Sequence, residues 1–189
     1  MNDPWDRRYA TADRPSAPAW VLSENAHLLP SSGRALDLAC GLGGSALFLA
    51  RRGLTVAAWD RSPVALEKLA AWAAQEGLSV QPRRVDLTRE SPPPGAFDVV
   101  VVAHFLHRPL LGAIADALAP GGLLFYQTFT QVPAGWSRGP ASPDLRLTQG
   151  ELLRRFAMLE PLFYREDGDS GDPAAGRRGL AHLVARRRL

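Results

Sequence analysis

Three aspartates and one glycine-rich turn hold most of the chemical information in this chain. Leu36-Asp37-Leu38-Ala39-Cys40-Gly41-Leu42-Gly43-Gly44 joins an apolar run to a stretch of helical pattern. Glycines at such a turn let a ligand approach the backbone closely, and the amides of the following helix point at it. Asp37 lies inside the apolar run, where a buried carboxylate destabilises the fold unless a cation or donor offsets it. Asp60 ends a second apolar run, at a suitable distance to take ribose hydroxyls. Asp86 follows a third run and precedes Leu87, placed to accept from an adenine amino group.

The elements that must hold these groups alternate from about residue 34 onward. Arg34–Ala39 reads as a short buried strand, and Ser45–Arg52 as a helix that stops at Gly53. Leu54–Asp60 is a second strand. Ser62 is then an N-cap with Pro63 at the first helical position, for a helix reaching about Gln75 and ending at Gly77. Ser79–Val85 is a third strand. Phe97–Ala103 contains four consecutive valines, the pattern of a strand covered on both faces in a parallel sheet. A helix over Pro109–Leu118 ends before Pro120-Gly121-Gly122, and Leu123–Phe129 is a fifth strand. Thr148 and Glu151 form a capping box for a helix over Thr148–Phe156. Leu159–Arg165 and His182–Arg186 are expected to pair antiparallel across the loop Glu166–Gly179.

This alternation predicts an α/β fold: a single Rossmann-like, doubly wound sheet, mostly parallel, of about seven strands with an antiparallel last strand. Residues 1–33 form an N-terminal lid segment and residues 34–189 the ligand-binding domain, one domain overall. Thr130–Leu147, rich in Gly and Pro, is a second candidate lid, because ligands in such sheets bind beyond the carboxyl ends of the strands.

Two cofactors compete for the glycine turn. Gly41-x-Gly43-x-x-Ala46 satisfies a relaxed dinucleotide fingerprint, with Asp60 for ribose hydroxyls. A sulfonium amino acid, S-adenosylmethionine, fits better, because its ammonium group answers Asp37, directly or through water. The chain also has no second domain for a hydride acceptor and no Tyr-x-x-x-Lys pair, its one lysine, Lys68, following Val64 at that spacing.

Asp37 to Gly44, Ala58-Trp59-Asp60, Val85-Asp86-Leu87, Phe97-Asp98-Val99-Val100 and Pro120-Gly121-Gly122 resemble, in order, the motifs of class I S-adenosylmethionine-dependent methyltransferases. The resemblance covers about residues 34 to 129. Within that class the chain is similar to the tellurite-resistance and thiopurine methyltransferase type, through Trp5-Asp6-Arg7-Arg8-Tyr9, Ala35 to Gly41 and Gln127-Thr128-Phe129. Ala39 departs from the general motif, which has glycine there, although alanine is frequent in this type. The resemblance implies a cytoplasmic enzyme methylating a small-molecule O, N, S or chalcogen nucleophile. It implies that Asp37, Ala39, Gly41 and Gly43 line the methionine part of the cofactor. Asp60 then takes the ribose hydroxyls, Asp86 and Leu87 hold adenine, His104, just past the fourth strand, faces the methionine moiety or the substrate, and Arg61 and Ala103 are further cofactor contacts.

No residue demands the role of general base. His104 and His107 flank Phe105-Leu106 and are catalytic candidates; lining of the pocket and the start of a helix are the plainer roles. Tyr126 is a third candidate that also suits the core. Tyr9, Gln127 and Arg177 are candidate substrate contacts: Tyr9 on the lid, Gln127 on the fifth strand, and Arg177 on the loop before the last strand, where it would pair with an anion. Cys40 reads as a small buried residue beside the cofactor more readily than as a nucleophile. No metal ligand set has convincing spacing.

Length and charge bound the rest. The 189 residues make one full domain. A single cysteine excludes an intramolecular disulfide framework, Met1–Ala10 is too polar for a signal peptide, and no apolar run is long enough to cross a membrane. The pI near 9.6 invites nucleic acid, yet the formal net charge is only +3. Of the 22 basic residues only Lys68 is lysine, and arginine stays protonated at ordinary pH, so the pI is high without a large charge at neutrality. Nucleic-acid or protein methylation, and a cofactor-binding module without turnover, remain the alternatives; Ala103-His104-Phe105-Leu106 lacks the Asn/Asp-Pro-Pro-Tyr pattern of many nucleic-acid amino methyltransferases.

Overall fold

A computed structural model describes residues 4–131, 139–172 and 174–189. Seven strands form one sheet in the order β3-β2-β1-β4-β5-β7-β6, where β1 is Gly33–Leu38, β2 Leu54–Asp60, β3 Val80–Arg84, β4 Phe97–Ala103, β5 Leu118–Phe129, β6 Glu160–Glu166 and β7 Leu180–Arg186. The pairs among β1 to β5 are parallel, and β7 runs antiparallel to both of its neighbours. The mostly parallel sheet with its antiparallel edge is therefore as the sequence predicts.

Val99, Val100, Val101 and Val102 of β4 are wholly buried. Each valine removed from water contributes about 1.5 kcal/mol or more, which explains why this run forms the centre of the sheet. One face packs on α2 (Trp20–Glu24), α3 (Gly44–Ala50) and α4 (Pro63–Gln75). The other packs on α5 (Leu111–Asp116) and α6 (Glu151–Arg155). A further short helix, α1 (Pro4–Ala10), buries none of its residues and rests beside α4. Asp98 ties the start of β4 to β1, its Oδ2 accepting the N–H of Arg34 at 2.7 Å.

Two local expectations are corrected. The helix expected over Pro109–Leu118 begins as a 3-10 turn at Arg108–Leu110 and ends at Asp116, because Leu118 already pairs with Phe97 as the first residue of β5. The register then shifts, so that Val99 faces Leu123 and Ala119 to Gly122 bulge out. Pro120 has no N–H to give a ladder, and a side chain at Gly122 would press on the carbonyls of Ala119 and Phe97. The helix expected from Thr148 starts only at Glu151, after Gly150 in a left-handed conformation with φ 67°. The capping contact still forms, with Glu151 Oε2 accepting the Thr148 N–H at 2.9 Å. Part of the second candidate lid, 132–138, lies outside the described residues.

The strand order reverses between β1 and β4. Beyond the carboxyl ends of these two strands lies the crevice where sheets of this kind take their ligands.

Candidate active site

The crevice is bordered by backbone in unusual conformations. Ala39 (φ 54°) and His104 (φ 55°) are the two non-glycine residues with left-handed backbone among those described, and they stand at the ends of the adjacent strands β1 and β4. Such positions cost about 1 kcal/mol or more each, and both fall at the sheet edge where the motif lies. Gly41 (φ 51°) and Gly43 (φ 74°) complete the turn. Bonds beyond the strand ends hold the loops together: Cys40 N–H to Trp59 O, Val85 N–H to Asp60 O and His104 N–H to Gln127 O, at 3.0, 2.9 and 2.9 Å.

Asp37 is 2% exposed, and its Oδ2 has no hydrogen-bond partner among the described residues. Burial, with the nearby Asp60 charge adding to it, pushes its pKa up to about 8, against the opposing hydrogen bond from the Ala46 backbone. Asp60 is also buried and anchors the turn: Oδ2 accepts Gly41 N–H at 2.8 Å, and Oδ1 accepts Ser62 N–H at 2.9 Å. Asp86 is exposed, and its Oδ1 accepts both the N–H and the hydroxyl of Thr88, which holds its pKa low. Arg61 lies close enough to Asp86 to favour its charge. Leu87 is buried in the core, and Ala103 is half-buried at the end of β4.

The N-terminal segment covers this arrangement. Tyr9 of α1 sits over the turn, its hydroxyl only 2.9 Å from where a Cβ on Gly41 would stand. Burial and the Asp60 charge push its pKa up to about 12. Lys68 of α4 donates to the carbonyls of Ala10 and Ala12 at 2.7 and 2.5 Å, and Ser62 Oγ donates to Asp6. Further along, Ser16 Oγ accepts Gly44 N–H and Ser45 Oγ accepts Ala19 N–H. A side chain at Gly44 would collide with the carbonyls of Ser16 and Ala17 at 2.2 and 2.6 Å, so this glycine admits the segment.

The remaining candidates separate by position. His104 keeps an exposed edge, packs its ring against Phe129 at 5.2 Å and lies 3.2 Å from the Gln127 amide nitrogen. Burial of the ring, and then the charge of Arg8, lowers its pKa. His107 heads the 3-10 turn, its carbonyl accepting Leu110 N–H. Tyr126 is wholly buried and donates to the Phe105 carbonyl at 2.9 Å; its raised pKa follows first from burial. It holds the loop after β4 and does not reach the crevice as an acid or base. Gln127 is 3% exposed with both ends of its amide engaged, so it supports the site from behind. Cys40 donates to Gly41 O and is buried, which raises its pKa well above the usual thiol range and disfavours the thiolate.

Arg177 lies on the loop before β7, its guanidinium 4.4 Å from the centre of the Trp20 ring. Trp20 also meets His182 edge-on at 4.8 Å. Neither that cluster nor the Lys68 clamp is legible from spacing, because each joins segments far apart in the chain.

The residues present fit S-adenosylmethionine. An ammonium group would give Asp37 Oδ2 the partner it lacks. Asp86 offers an ionised acceptor at the far end of the same strand edge.

A methyltransferase-domain family profile matches residues 35–122. The ubiquinone biosynthesis O-methyltransferase of Xanthomonas axonopodis pv. citri (strain 306) is 32% identical over 144 residues, 69% of this chain and 59% of that protein. The chain thus spans about three-fifths of the length of that relative. TehB from Haemophilus influenzae superposes with a TM-score of 0.75 at 20% identity, covering 97% of this chain and 67% of TehB. The [4+2]-cyclase SpnF superposes with a TM-score of 0.69 at 23% identity, covering 97% of this chain and 81% of SpnF. The strand order, the glycine turn and its aspartates agree with these matches, and residues 35–122 match the methyltransferase-domain family within a sheet of the same fold.

Proposed function

We propose that the chain transfers a methyl group from S-adenosylmethionine to a small-molecule O, N, S or chalcogen nucleophile. The observation that carries this reading is the orphaned, buried Oδ2 of Asp37 on β1, just before a glycine turn. A buried carboxylate without a partner is costly to keep, and a cationic amino-acid ligand is the chemistry that relieves it. The bound cofactor supplies a methyl group already activated by the positive charge on sulfur. The protein's own work is to hold donor and acceptor in line and to exclude water.

In this reading Asp37, Ala39, Gly41 and Gly43 receive the methionine part, Asp60 and Arg61 the ribose, and Asp86 with Leu87 the adenine. Ala103 and His104 border the reacting end. Tyr9 closes over the glycine turn from α1, and Arg177 offers its guanidinium to an anionic acceptor. The lid of this reading is residues 4–12, tied down through Asp6, Ala10 and Ala12; beyond it Ser16, Ala19 and Val21 are bonded to the body of the fold. An oxygen acceptor is favoured by the relative named above, and a cytoplasmic setting belongs to the same proposal. No helix among the described residues is long and apolar enough to cross a membrane.

Isothermal titration with S-adenosylmethionine and its demethylated product tests the reading. Wild type binds both, and Asp60→Ala, which frees the Gly41 and Ser62 amides, weakens both by at least about tenfold. Absence of binding, or binding that ignores Asp60→Ala, overturns it. The likeness to a cyclase favours a second outcome, a cofactor site without methyl transfer. Turnover with a panel of phenols, thiols, amines and chalcogen oxyanions separates the two, and salt-dependent binding of RNA or DNA would revive a nucleic-acid substrate.

A further inference from the structure

Gln127 joins two parts of the molecule that are far apart in sequence. Its Oε1 accepts the backbone N–H of Val21, in α2, at 3.0 Å, and its Nε2 lies 3.2 Å from Nε2 of His104, just past β4. A backbone N–H only donates, so the atom facing Val21 must be the amide oxygen. The atom facing His104 is therefore the amide nitrogen, which also only donates. Nε2 of His104 must then accept, and an imidazole nitrogen accepts only without a proton. The proton of the neutral ring sits on Nδ1.

The alternative orientation is blocked. Turning the amide over would place its NH2 against the Val21 N–H in the buried interior, leaving both donors without acceptors. The ring itself is held by the His104 N–H bond to Gln127 O, by the left-handed backbone at φ 55° and by the Phe129 ring. The charged group that acts on His104 from the opposite element is Arg8 of α1, and its charge opposes protonation. No carboxylate hydrogen-bonds the His104 ring among the described residues.

We propose that Gln127 is a positioning residue that fixes His104 as its neutral Nδ1–H tautomer, so that His104 offers the methyl acceptor a hydrogen-bond donor and not a base. The substrate half of this inference rests on the methyltransferase reading; the tautomer half rests on the two bonds alone. It narrows the acceptor class. A nucleophile served by a donor must bring its own lone pair, as a thiolate, an acidic phenol already ionised, an amine or an oxyanion does. A neutral aliphatic alcohol, which has to lose its proton to a base, is disfavoured.

The test is nitrogen-15 NMR of the full chain, histidine-labelled, with and without the demethylated cofactor, for wild type, Gln127→Glu and Gln127→Met. Wild type near neutral pH shows His104 with a protonated Nδ1 and a bare Nε2. In Gln127→Glu a carboxylate accepts from both Val21 N–H and a protonated Nε2, so the tautomer reverses and the His104 pKa rises by about one unit or more. In Gln127→Met the two tautomers mix. The pH profile of turnover moves with the His104 titration in Gln127→Glu. A protonated Nε2 in neutral wild-type His104, or an unchanged tautomer and titration in a folded Gln127→Glu, overturns the proposal. The predicted tautomers together with no methylation of any acceptor would uphold the clamp and remove the methyltransferase reading instead.

Discussion

Asp37 is the side chain on which the site turns. Buried with one oxygen unpartnered, it keeps its proton to a pH near 8, against 3.8 for an ordinary aspartic acid. A ligand ammonium can pair only with the ionised form, so binding and deprotonation are linked. Affinity for S-adenosylmethionine is expected to rise between about pH 6 and 7.5 in wild type, as loss of the proton becomes easier. Asp37→Asn removes the charge, weakening binding about tenfold or more and flattening this rise. Titration calorimetry across that range checks both, and an Asn variant that binds as wild type does would remove Asp37 from the site. The burial of Asp37 was legible in the sequence because a carboxylate inside an apolar run is carried into the sheet with its neighbours. Tyr126 and Gln127 were less legible. Strand alternation assigns them to opposite faces, but what covers each face is decided by α2 and by the loop after β4, which lie elsewhere in the chain.

Elements with strong local signals appear where the pattern placed them: β2 over Leu54–Asp60, α4 over Pro63–Gln75 behind its Ser62 cap, and β4 over Phe97–Ala103. Each has a full hydrophobic period or an unambiguous cap. The short helices α1 and α2 have neither; seven and five residues are too few to show a helical period, and tertiary bonds hold them. For α1 those bonds are few. Lys68 holds the end of its segment through the Ala10 and Ala12 carbonyls, and Asp6 accepts from Ser62. Lys68→Met keeps most of the aliphatic stem and removes the charge and its donors. It is expected to strip hydrogen-exchange protection from residues 4–12 and speed release of the demethylated cofactor, while changing global stability by only about 0.5 kcal/mol. Exchange mass spectrometry and stopped-flow release measure these effects. Unchanged protection of 4–12 would show that the clamp does not govern the lid.

Taken as a whole, the molecule is near charge balance, with a formal net charge of +3, and several of its arginines pair with carboxylates. Arg51 pairs with Glu76, Arg83 with Glu90, Arg108 with Glu151, Arg165 with Asp167 and Arg186 with Glu160. Two of these pairs and two buried groups set the pH dependence of folding. Arg108 and the Thr148 amide hold Glu151 down to about 2, and Arg165 with the Arg177 amide does the same for Asp167. Both carboxylates are held below their unfolded values, so their contribution is present above about pH 4.5 and is lost towards pH 2. Burial lowers His182 to about 4; the unfolded chain binds that proton more readily, so stability is also lost as pH falls from 6.5 to 4. Asp37 works in the opposite sense. Its raised pKa favours the fold at low pH, and that contribution declines as pH rises from 3.8 to about 8. Between pH 4 and 6.5 the His182 and Asp37 slopes, one proton each, oppose and nearly cancel. The ligand-free protein is therefore expected to show a plateau there. Above it, stability falls by about 1.4 kcal/mol per pH unit until Asp37 ionises in the fold. Denaturant unfolding from pH 3 to 9 measures the curve. Saturating S-adenosylmethionine and, separately, Asp37→Asn should each flatten the alkaline arm and, with the His182 slope no longer opposed, extend the acid arm up to about pH 6.5. An alkaline arm that survives in Asp37→Asn would assign it to another group and separate the cofactor pocket from the stability of the fold.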